Sequence, residues 1–340
     1  MVRSSDATSL VTIQGTNDER KAIHPSHYIT PLPRNCNDYD MIERGHDVAT
    51  GSSYVRLLSR SAALIPPLLD GLGPMRSRKG IAAIYEHVLS CDKEMRSVVQ
   101  KIPEFLLREP TTGNTPTLPW IPLARRTLAI SAAEKVIMIH RPVLFYSFQS
   151  PAFLKTRKTC VAAATTILRE HEQATAEGVV SIWTHSAFCV TAAMVLGLEL
   201  FHRIDHTDDT AHGYRQMLIR AAERLRGRRC DAIAKRGAIL VDTILEAEEE
   251  LVVKIMRTAR HGGSAESRQR HVVNEMIRNQ EIMAKFLALA PQNLEPFPLG
   301  QSPSSIDQLS GSLTLDLSPA GQDFDAWFNE VFAPVYHPTL

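Results

Sequence analysis

The chain has 340 residues, of which 44% are hydrophobic and 22% are charged, and its formal net charge is +1. These proportions exclude a disordered chain, because disorder requires low hydrophobicity and a high net charge. They also argue against a dedicated nucleic-acid binder, whose affinity depends on a strongly basic surface that neutralises phosphates. We therefore expect a folded globular protein.

The five cysteines are scattered along the sequence and include no C-x-x-C pair. This spacing argues against a disulfide framework and against a cysteine-based zinc site. The N-terminus lacks the apolar core of a secretory signal, and no run reaches about 18 apolar residues. We expect reduced, mostly buried thiols in an intracellular protein, nuclear or cytoplasmic, without a membrane span.

The polar, unpatterned residues 1–30 predict a flexible N-terminal arm. Apolar residues then recur at helical spacing throughout the region 31–290. The predicted helices are 52–69, 81–99, 123–139, 152–173, 180–201, 214–225 and onward, 232–260 and 268–289. Within them, the apolar run 187–200 predicts a buried core helix.

Glycine and proline set two of the predicted helix ends. Gly71, Gly73 and Pro74 are expected to stop the first helix. The third helix is expected to end at the step before Pro142, because the residue preceding a proline resists the α conformation. The sequence therefore predicts short helices separated by loops.

The C-terminal part of the sequence changes in composition. Residues 291–322 are rich in Pro, Ser and Gly, which predicts a linker or mobile loop. Residues 323–340 contain a short amphipathic piece, 324–332, expected to dock on the body and to be followed by a tail. Because convincing β alternation appears nowhere, we predict an all-α fold.

Four segments, taken in order, carry a resemblance to a known family. They are 32–40 (LPRNCNDYD), 135–144 (KVIMIHRPVL), 150–168 (SPAFLKTRKTCVAAATTIL) and 181–201 (SIWTHSAFCVTAAMVLGLELF). Their order and spacing resemble the middle homology region of fungal zinc-cluster transcription factors. Ile139 stands where that family has a leucine, and Thr156 where serine is commoner. The resemblance covers roughly residues 30–290 and implies a multi-helix globular array of the fungal transcription factor regulatory-domain type.

The sequence departs from this family at the N-terminus. The family's six-cysteine cluster, which holds two zinc ions and binds DNA, has no counterpart in the roughly thirty residues before the homology region. We therefore expect no direct sequence-specific DNA binding by this chain in the family's mode. Both a truncated product and a natural protein that keeps only the helical domain stay open.

The first functional hypothesis is a transcription factor-like regulatory or ligand-sensing domain that controls a fungal metabolic gene cluster. It implies a small-molecule ligand, a protein partner or a homodimer, and a shift between helical arrangements on binding. Motifs for a serine nucleophile elbow, a zinc protease and a phosphate-binding glycine loop are all missing from the sequence. We therefore expect neither a metal nor a cofactor.

The alternative hypothesis is a scaffold repurposed as a cofactor-independent cyclase or isomerase in fungal secondary metabolism. Such chemistry needs an apolar pocket and one or two polar groups for orientation and proton transfer. The candidate catalytic residues are His185, His140 and Asp38. The candidate ligand-pocket residues are Trp183, His185, Phe188, Trp120 and Phe145.

Each polar candidate also has a structural interpretation. His140 would stabilise a helix C-terminus, where the helix dipole favours a cation. Asp38 and Asp40 fit an Asx turn or a helix N-cap. His185 would be a hydrogen-bonded core residue. The basic run between Arg220 and Arg236 would be a solvated, partly salt-bridged helix face.

Overall fold

The computed structural model describes residues 31–78, 80–108, 118–176, 178, 182–203 and 208–258. Within these ranges 79% of the residues are α-helical and no strand occurs, so the all-α prediction is confirmed. The predicted arm 1–30, the helix 268–289, the linker 291–322 and the C-terminal piece 323–340 lie outside the described residues.

Nine α-helices are present in the described ranges. They are α1 (Ser53–Ala62), α2 (Ile65–Arg78), α3 (Ile81–Gln100), α4 (Glu104–Leu107), α5 (Ile121–Gln149), α6 (Leu154–Ala176), α7 (Trp183–Phe201), α8 (Asp209–Gly227) and α9 (Ala232–Thr258). A 3₁₀ turn, Pro151–Phe153, joins α5 to α6. Helix α5 contacts five other helices, namely α1, α3, α4, α6 and α7.

Helix α7 lies at the centre of the largest core cluster and packs against α6, α8 and α9. By length and composition it is apolar enough to cross a membrane, but 89% of its apolar window is buried inside the protein. A helix that is hydrophobic on every side needs such enclosure. The prediction of a buried core helix over 187–200 is confirmed.

Two glycines allow a close approach between α7 and α9. A Cβ atom at Gly197 on α7 would lie 2.5 Å from Cγ2 of Ile244 on α9. A Cβ atom at Gly237 on α9 would lie closer still to Cγ2 of Val190 on α7. Because each helix contributes one glycine opposite a branched side chain of the other, the two backbones pack at short range.

The predicted end of the first helix at Gly71, Gly73 and Pro74 is wrong. The break falls earlier, between Ala62 and Ile65, and α2 continues to Arg78. A glycine inside a helix costs only about 1 kcal/mol relative to alanine, which burial of neighbouring apolar side chains outweighs. Gly71 also makes room for His87 of α3, whose imidazole would overlap a Cβ atom at this position.

The predicted helix end before Pro142 is also wrong. Helix α5 runs through this proline to Gln149. A proline inside a helix removes one backbone hydrogen bond and costs about 3 kcal/mol. Ile139, Val143 and Leu144 beside it are at most 1% exposed. Their packing against neighbouring helices outweighs the local cost, which sequence spacing alone does not reveal.

Candidate functional site

The first motif, 32–40, lies in a loop that is organised around the buried side chain of Asn35. Its Nδ2 atom donates hydrogen bonds to the carbonyl oxygens of Gly45 at 2.7 Å and Val48 at 3.1 Å. Its Oδ1 atom accepts hydrogen bonds from the hydroxyls of Thr50 at 2.8 Å and Ser53 at 2.9 Å. Both ends of the amide are satisfied, so Asn35 ties this loop to the start of α1.

Of the acidic pair Asp38 and Asp40 in the same loop, Asp40 has a local structural role. Its Oδ1 atom accepts a hydrogen bond from the backbone N–H of Ile42 at 3.1 Å, as an Asx turn requires. A hydrogen bond from Arg44 lowers the pKa of the Asp40 carboxyl. Asp38 is exposed on this loop, whereas His140 and His185 are fully buried. The three catalytic candidates therefore lie at separate places.

The second and third motifs meet at His140, in the middle of α5. Its Nδ1 atom lies 3.0 Å from Oγ1 of Thr156 on α6. Its Nε2 atom lies 3.4 Å from Oδ1 of Asp92 on α3, a distance too long for a good hydrogen bond. The interpretation of His140 as a helix C-terminal residue is wrong, because α5 continues past it.

The Asp92 carboxylate forms the other half of this buried link. Burial raises its pKa, but contacts with His140 and with Arg96, whose Nε atom lies 2.8 Å away, outweigh burial and bring the pKa to about 2. A hydroxyl, an imidazole and a carboxylate in the order Thr156, His140, Asp92 resemble the nucleophile, the base and the orienting carboxylate of a catalytic triad. Since Thr156 is completely buried, no substrate reaches its hydroxyl. The arrangement joins three helices and is structural.

His185, on the first turn of α7, has a different environment. Its predicted place in the core is confirmed, but the predicted hydrogen bond is wrong: neither of its ring nitrogens has a hydrogen-bond partner among the described residues. The same holds for the ring nitrogens of His171 on α6. Burial, assisted by Arg228, lowers the pKa of His185 to about 4. Burial, assisted by Arg224 and by His185 itself, lowers the pKa of His171 to about 3. The two histidines are therefore neutral neighbours within the core at pH 7.

Asp231 organises the end of the bundle at which these histidines lie. Its Oδ2 atom accepts hydrogen bonds from Ser186 Oγ at 2.8 Å and from Arg228 Nε at 3.0 Å. Its Oδ1 atom accepts from the backbone N–H groups of Ile233 and Ala234, which caps α9. Sequence reasoning missed this residue, although an aspartate directly before an apolar helical segment is an N-cap signal.

The basic run beyond Arg220 forms ion pairs with neighbouring helices. The Nε atom of Arg220 and the Nη1 atom of Arg224 lie 2.9 and 3.2 Å from Oε1 of Glu172 on α6. An Nη2 atom of Arg226 lies 2.5 Å from Oδ1 of Asp242 on α9. The interpretation of this run as a partly salt-bridged helix face is confirmed for these arginines.

The predicted ligand-pocket residues are distributed over the fold. Trp183 is 44% exposed at the start of α7, and Phe188 is buried on the same helix beneath Lys135, whose Nζ atom lies 5.8 Å from the ring centroid. Trp120 is half-buried and packs on a separate core cluster at the start of α5. Phe145 is buried near the end of α5 against Tyr146. The groove described next contains none of these aromatic side chains in its described lining.

A large groove lies elsewhere, between α3, α4, α5 and α6, with a volume of about 930 Å³. Its floor consists of small residues of α5 and α6, namely Ala129, Ala132, Ala133, Ala162 and Ala163. Its apolar walls come from α3, α4 and α5 and include Met95, Val99, Ile102, Leu106, Leu128 and Val136. None of the predicted site residues lines it. The signal that sequence reasoning missed is the alanine spacing on two consecutive helices.

Charged side chains surround this groove. Among its described lining residues, four are basic, Arg96, Arg125, Arg126 and Lys158, and Glu170 is the single acid. Arg126 Nη1 lies 2.8 Å from Glu170 Oε2 at one end. Arg96 pairs with Asp92, so the groove and the buried His140 link share one ion pair.

Comparisons with protein-family models, with curated proteins and with solved structures find no match to this chain. The resemblance to zinc-cluster regulatory domains therefore depends on the four motifs alone. In the part of the chain that the structure describes, no three His, Cys, Asp or Glu side chains come together as a metal site would require.

Proposed function

We propose that the chain is a transcription factor-like, ligand-sensing helical domain that controls a fungal metabolic gene cluster, and that its ligand binds in the groove between α3, α4, α5 and α6. The groove is the observation that carries this proposal. Small-molecule sites occupy about 300 to 1,000 Å³ and combine apolar walls with a few polar groups. The volume of about 930 Å³ and the alanine floor match that description.

A ligand in this groove would act on the relative positions of three helices. Met95, Arg96 and Val99 bring α3 to the groove, opposite the floor formed by α5 and α6. Asp92 lies one turn before Arg96 and contacts His140 of α5. A ligand that binds better when α3 is displaced shifts the population toward that arrangement. A protein partner or a second copy of the chain would detect the shift.

The cyclase or isomerase hypothesis has less support. Its candidates His140 and His185 are fully buried, and neither they nor Asp38 line the groove. A general acid or base must lie within hydrogen-bond reach of the proton that it transfers. The described lining contains Glu170 and Lys158 but no histidine. These observations favour binding over proton transfer.

The experiment is a reporter assay in a fungal cell, with the full chain fused to a heterologous DNA-binding module. Ala162 lies in the groove floor but is exposed, so Ala162→Phe fills the groove without disturbing the core. Ala176→Phe, at an exposed position on the same helix outside the groove, is the matched control. We expect the fusion to change reporter output in response to metabolites, and Ala162→Phe alone to abolish that response.

Reporter output identical to that of the DNA-binding module alone would overturn the regulatory role. A response retained in full by Ala162→Phe would overturn the groove as the sensing site. Circular dichroism of both variants verifies that the helical fold is intact.

A further inference from the structure

The groove has two chemically different ends. On α6 it is lined from Lys158 to Glu170, a distance of about 18 Å at 1.5 Å per residue. Glu170 at one end is engaged with Arg126. Lys158 at the other end is exposed and makes no ion pair or hydrogen bond with any residue in the described ranges. Positive charge is therefore available at the Lys158 end.

Arg96 adds to the positive charge at this end. Asp92, its ion-pair partner, contacts His140, and His140 in turn contacts Thr156, two residues before Lys158. This chain of contacts brings Arg96 to the same end of the groove as Lys158. The side chain of Arg96 is 55% exposed, so part of its guanidinium faces solvent while its Nε atom holds Asp92.

The interior between the two ends is mostly apolar, although Gln100, Thr159 and Thr166 also line the groove. Alanines of α5 and α6 form the floor, and Val99, Ile102 and Leu106 form a wall. Burying a hydrocarbon chain on this surface is favourable at about 25 cal/mol per Å² of apolar area. At the Glu170 end the two arginines of the lining are already engaged, since Arg126 pairs with Glu170 and Nη2 of Arg125 donates a hydrogen bond to the carbonyl oxygen of Phe105 at 3.3 Å. These features select an elongated molecule with one anionic head.

We propose that the groove binds an amphipathic monocarboxylate, with the carboxylate at Lys158 and Arg96 and the apolar body along the alanine floor. This inference rests on the proposed function, because it names the ligand class of the same groove. It excludes polyphosphates and cationic ligands as the preferred class. Binding should weaken with salt, since an exposed charge pair is screened by ions.

The test compares three probes of equal chain length on the purified full chain: decanoate and decylamine, each below its micelle concentration, and decanol, below its solubility limit. Affinity is measured by calorimetry and by thermal shift. We expect decanoate to bind at least tenfold more tightly than decanol, and decylamine more weakly than either. Lys158→Glu should remove the advantage of decanoate over decanol. Lys155→Glu, at an exposed position of α6 outside the described lining, should preserve it.

Equal binding of decanoate and decanol, or an unchanged preference in Lys158→Glu, would overturn the carboxylate assignment. Absence of binding by all three probes would overturn it as well. None of these three results bears on the reporter response of Ala162→Phe, which tests the groove as the sensing site independently of ligand class. Loss of both decanoate and decanol binding in Ala162→Phe, with Ala176→Phe unaffected, places the apolar body along the floor.

Discussion

The Nε2 atom of His140 lies 3.4 Å from the Oδ1 atom of Asp92, and both side chains are at most 2% exposed. This contact joins α5 to α3 within the core. It explains why a histidine two residues before a proline, which from sequence resembled a helix end or a catalytic residue, has a structural role. The same aspartate holds Arg96 at the groove, so the buried link borders the site at which we propose that a ligand binds.

Replacing the buried acid should destabilise the protein. Asp92→Asn keeps the size of the side chain but removes the charge that faces His140 and Arg96. A hydrogen bond to a charged group contributes about 1.5 to 3 kcal/mol, and we expect Asp92→Asn to lower the free energy of unfolding by about 2 kcal/mol in urea-induced unfolding. Asp38→Asn, the same change at an exposed position, should stay within about 0.5 kcal/mol. Equal effects at the two positions would contradict a stabilising role of the buried Asp92 carboxylate.

Stability should fall as the pH is lowered, because of His171 and His185. Their ordinary pKa is 6.5, and in the folded protein the pKa is about 3 for His171 and about 4 for His185. Below pH 6.5 the unfolded chain takes up protons that the folded protein excludes. Each histidine therefore lowers the free energy of unfolding by about 2 kcal/mol as the pH falls from 7 to 5. This loss of stability continues until the pH is below the pKa values of the folded protein.

The double variant His171→Leu/His185→Leu should have a much flatter pH dependence in thermal unfolding. Arg224, Arg228 and Asp231 face this pair and are retained. Some slope should persist, since burial also lowers the pKa of His202 to about 4. His212→Leu, at an exposed histidine, is the control and should leave the slope unchanged. An unaltered slope in the double variant would exclude the histidine pair as its origin.

Two glycine-to-alanine changes should shift the stability of the protein in opposite directions. Gly197→Ala places a Cβ atom 2.5 Å from Ile244 Cγ2, and overpacking of this kind costs about 1 to 3 kcal/mol. Gly213→Ala on α8 meets no atom within 4 Å, so helix propensity should stabilise the protein by up to about 1 kcal/mol. Thermal denaturation measures both. Destabilisation by Gly213→Ala would contradict an open environment there.

The loop before α1 should depend on the amide of Asn35. Asn35→Asp keeps the oxygen acceptors but loses the donors that satisfy the carbonyl oxygens of Gly45 and Val48. The two carbonyl oxygens would then face a carboxylate, which should lower the free energy of unfolding by about 2 to 4 kcal/mol. Hydrogen exchange of the backbone amides in 44–53 should become faster. Asn37→Asp should have a much smaller effect, because its Oδ1 atom, which accepts from Gly51, is retained.

Several elements of the fold could be predicted because their signals are local. Helical periodicity located α3, α6, α7 and α9 within about three residues at each end, and it recognised α7 as a core helix from its apolar composition. Helix ends were less predictable. Pro142 and Gly71 carry local costs that burial outweighs, and burial depends on helices distant in sequence.

The candidate site could not be predicted in the same way. Asp92 has no signal in the sequence that relates it to His140, 48 residues later, until α3 packs on α5. The alanines of the groove floor belong to two helices and form one surface only after those helices pair. His185 was recognised as buried or functional, but its neighbour His171 was missed, although the short connection between α6 and α7 brings the end of one helix close to the start of the other.

The sequence by itself determined the helical class, the identity of the central helix and the residues that carry the motif resemblance, because these depend on spacing along one chain. The tertiary structure decided which polar side chains are buried, which helices continue through glycine or proline, and where a groove of about 930 Å³ stays open between helices. Those properties arise from contacts between distant segments, whose packing free energy exceeds the local preferences that a sequence pattern records.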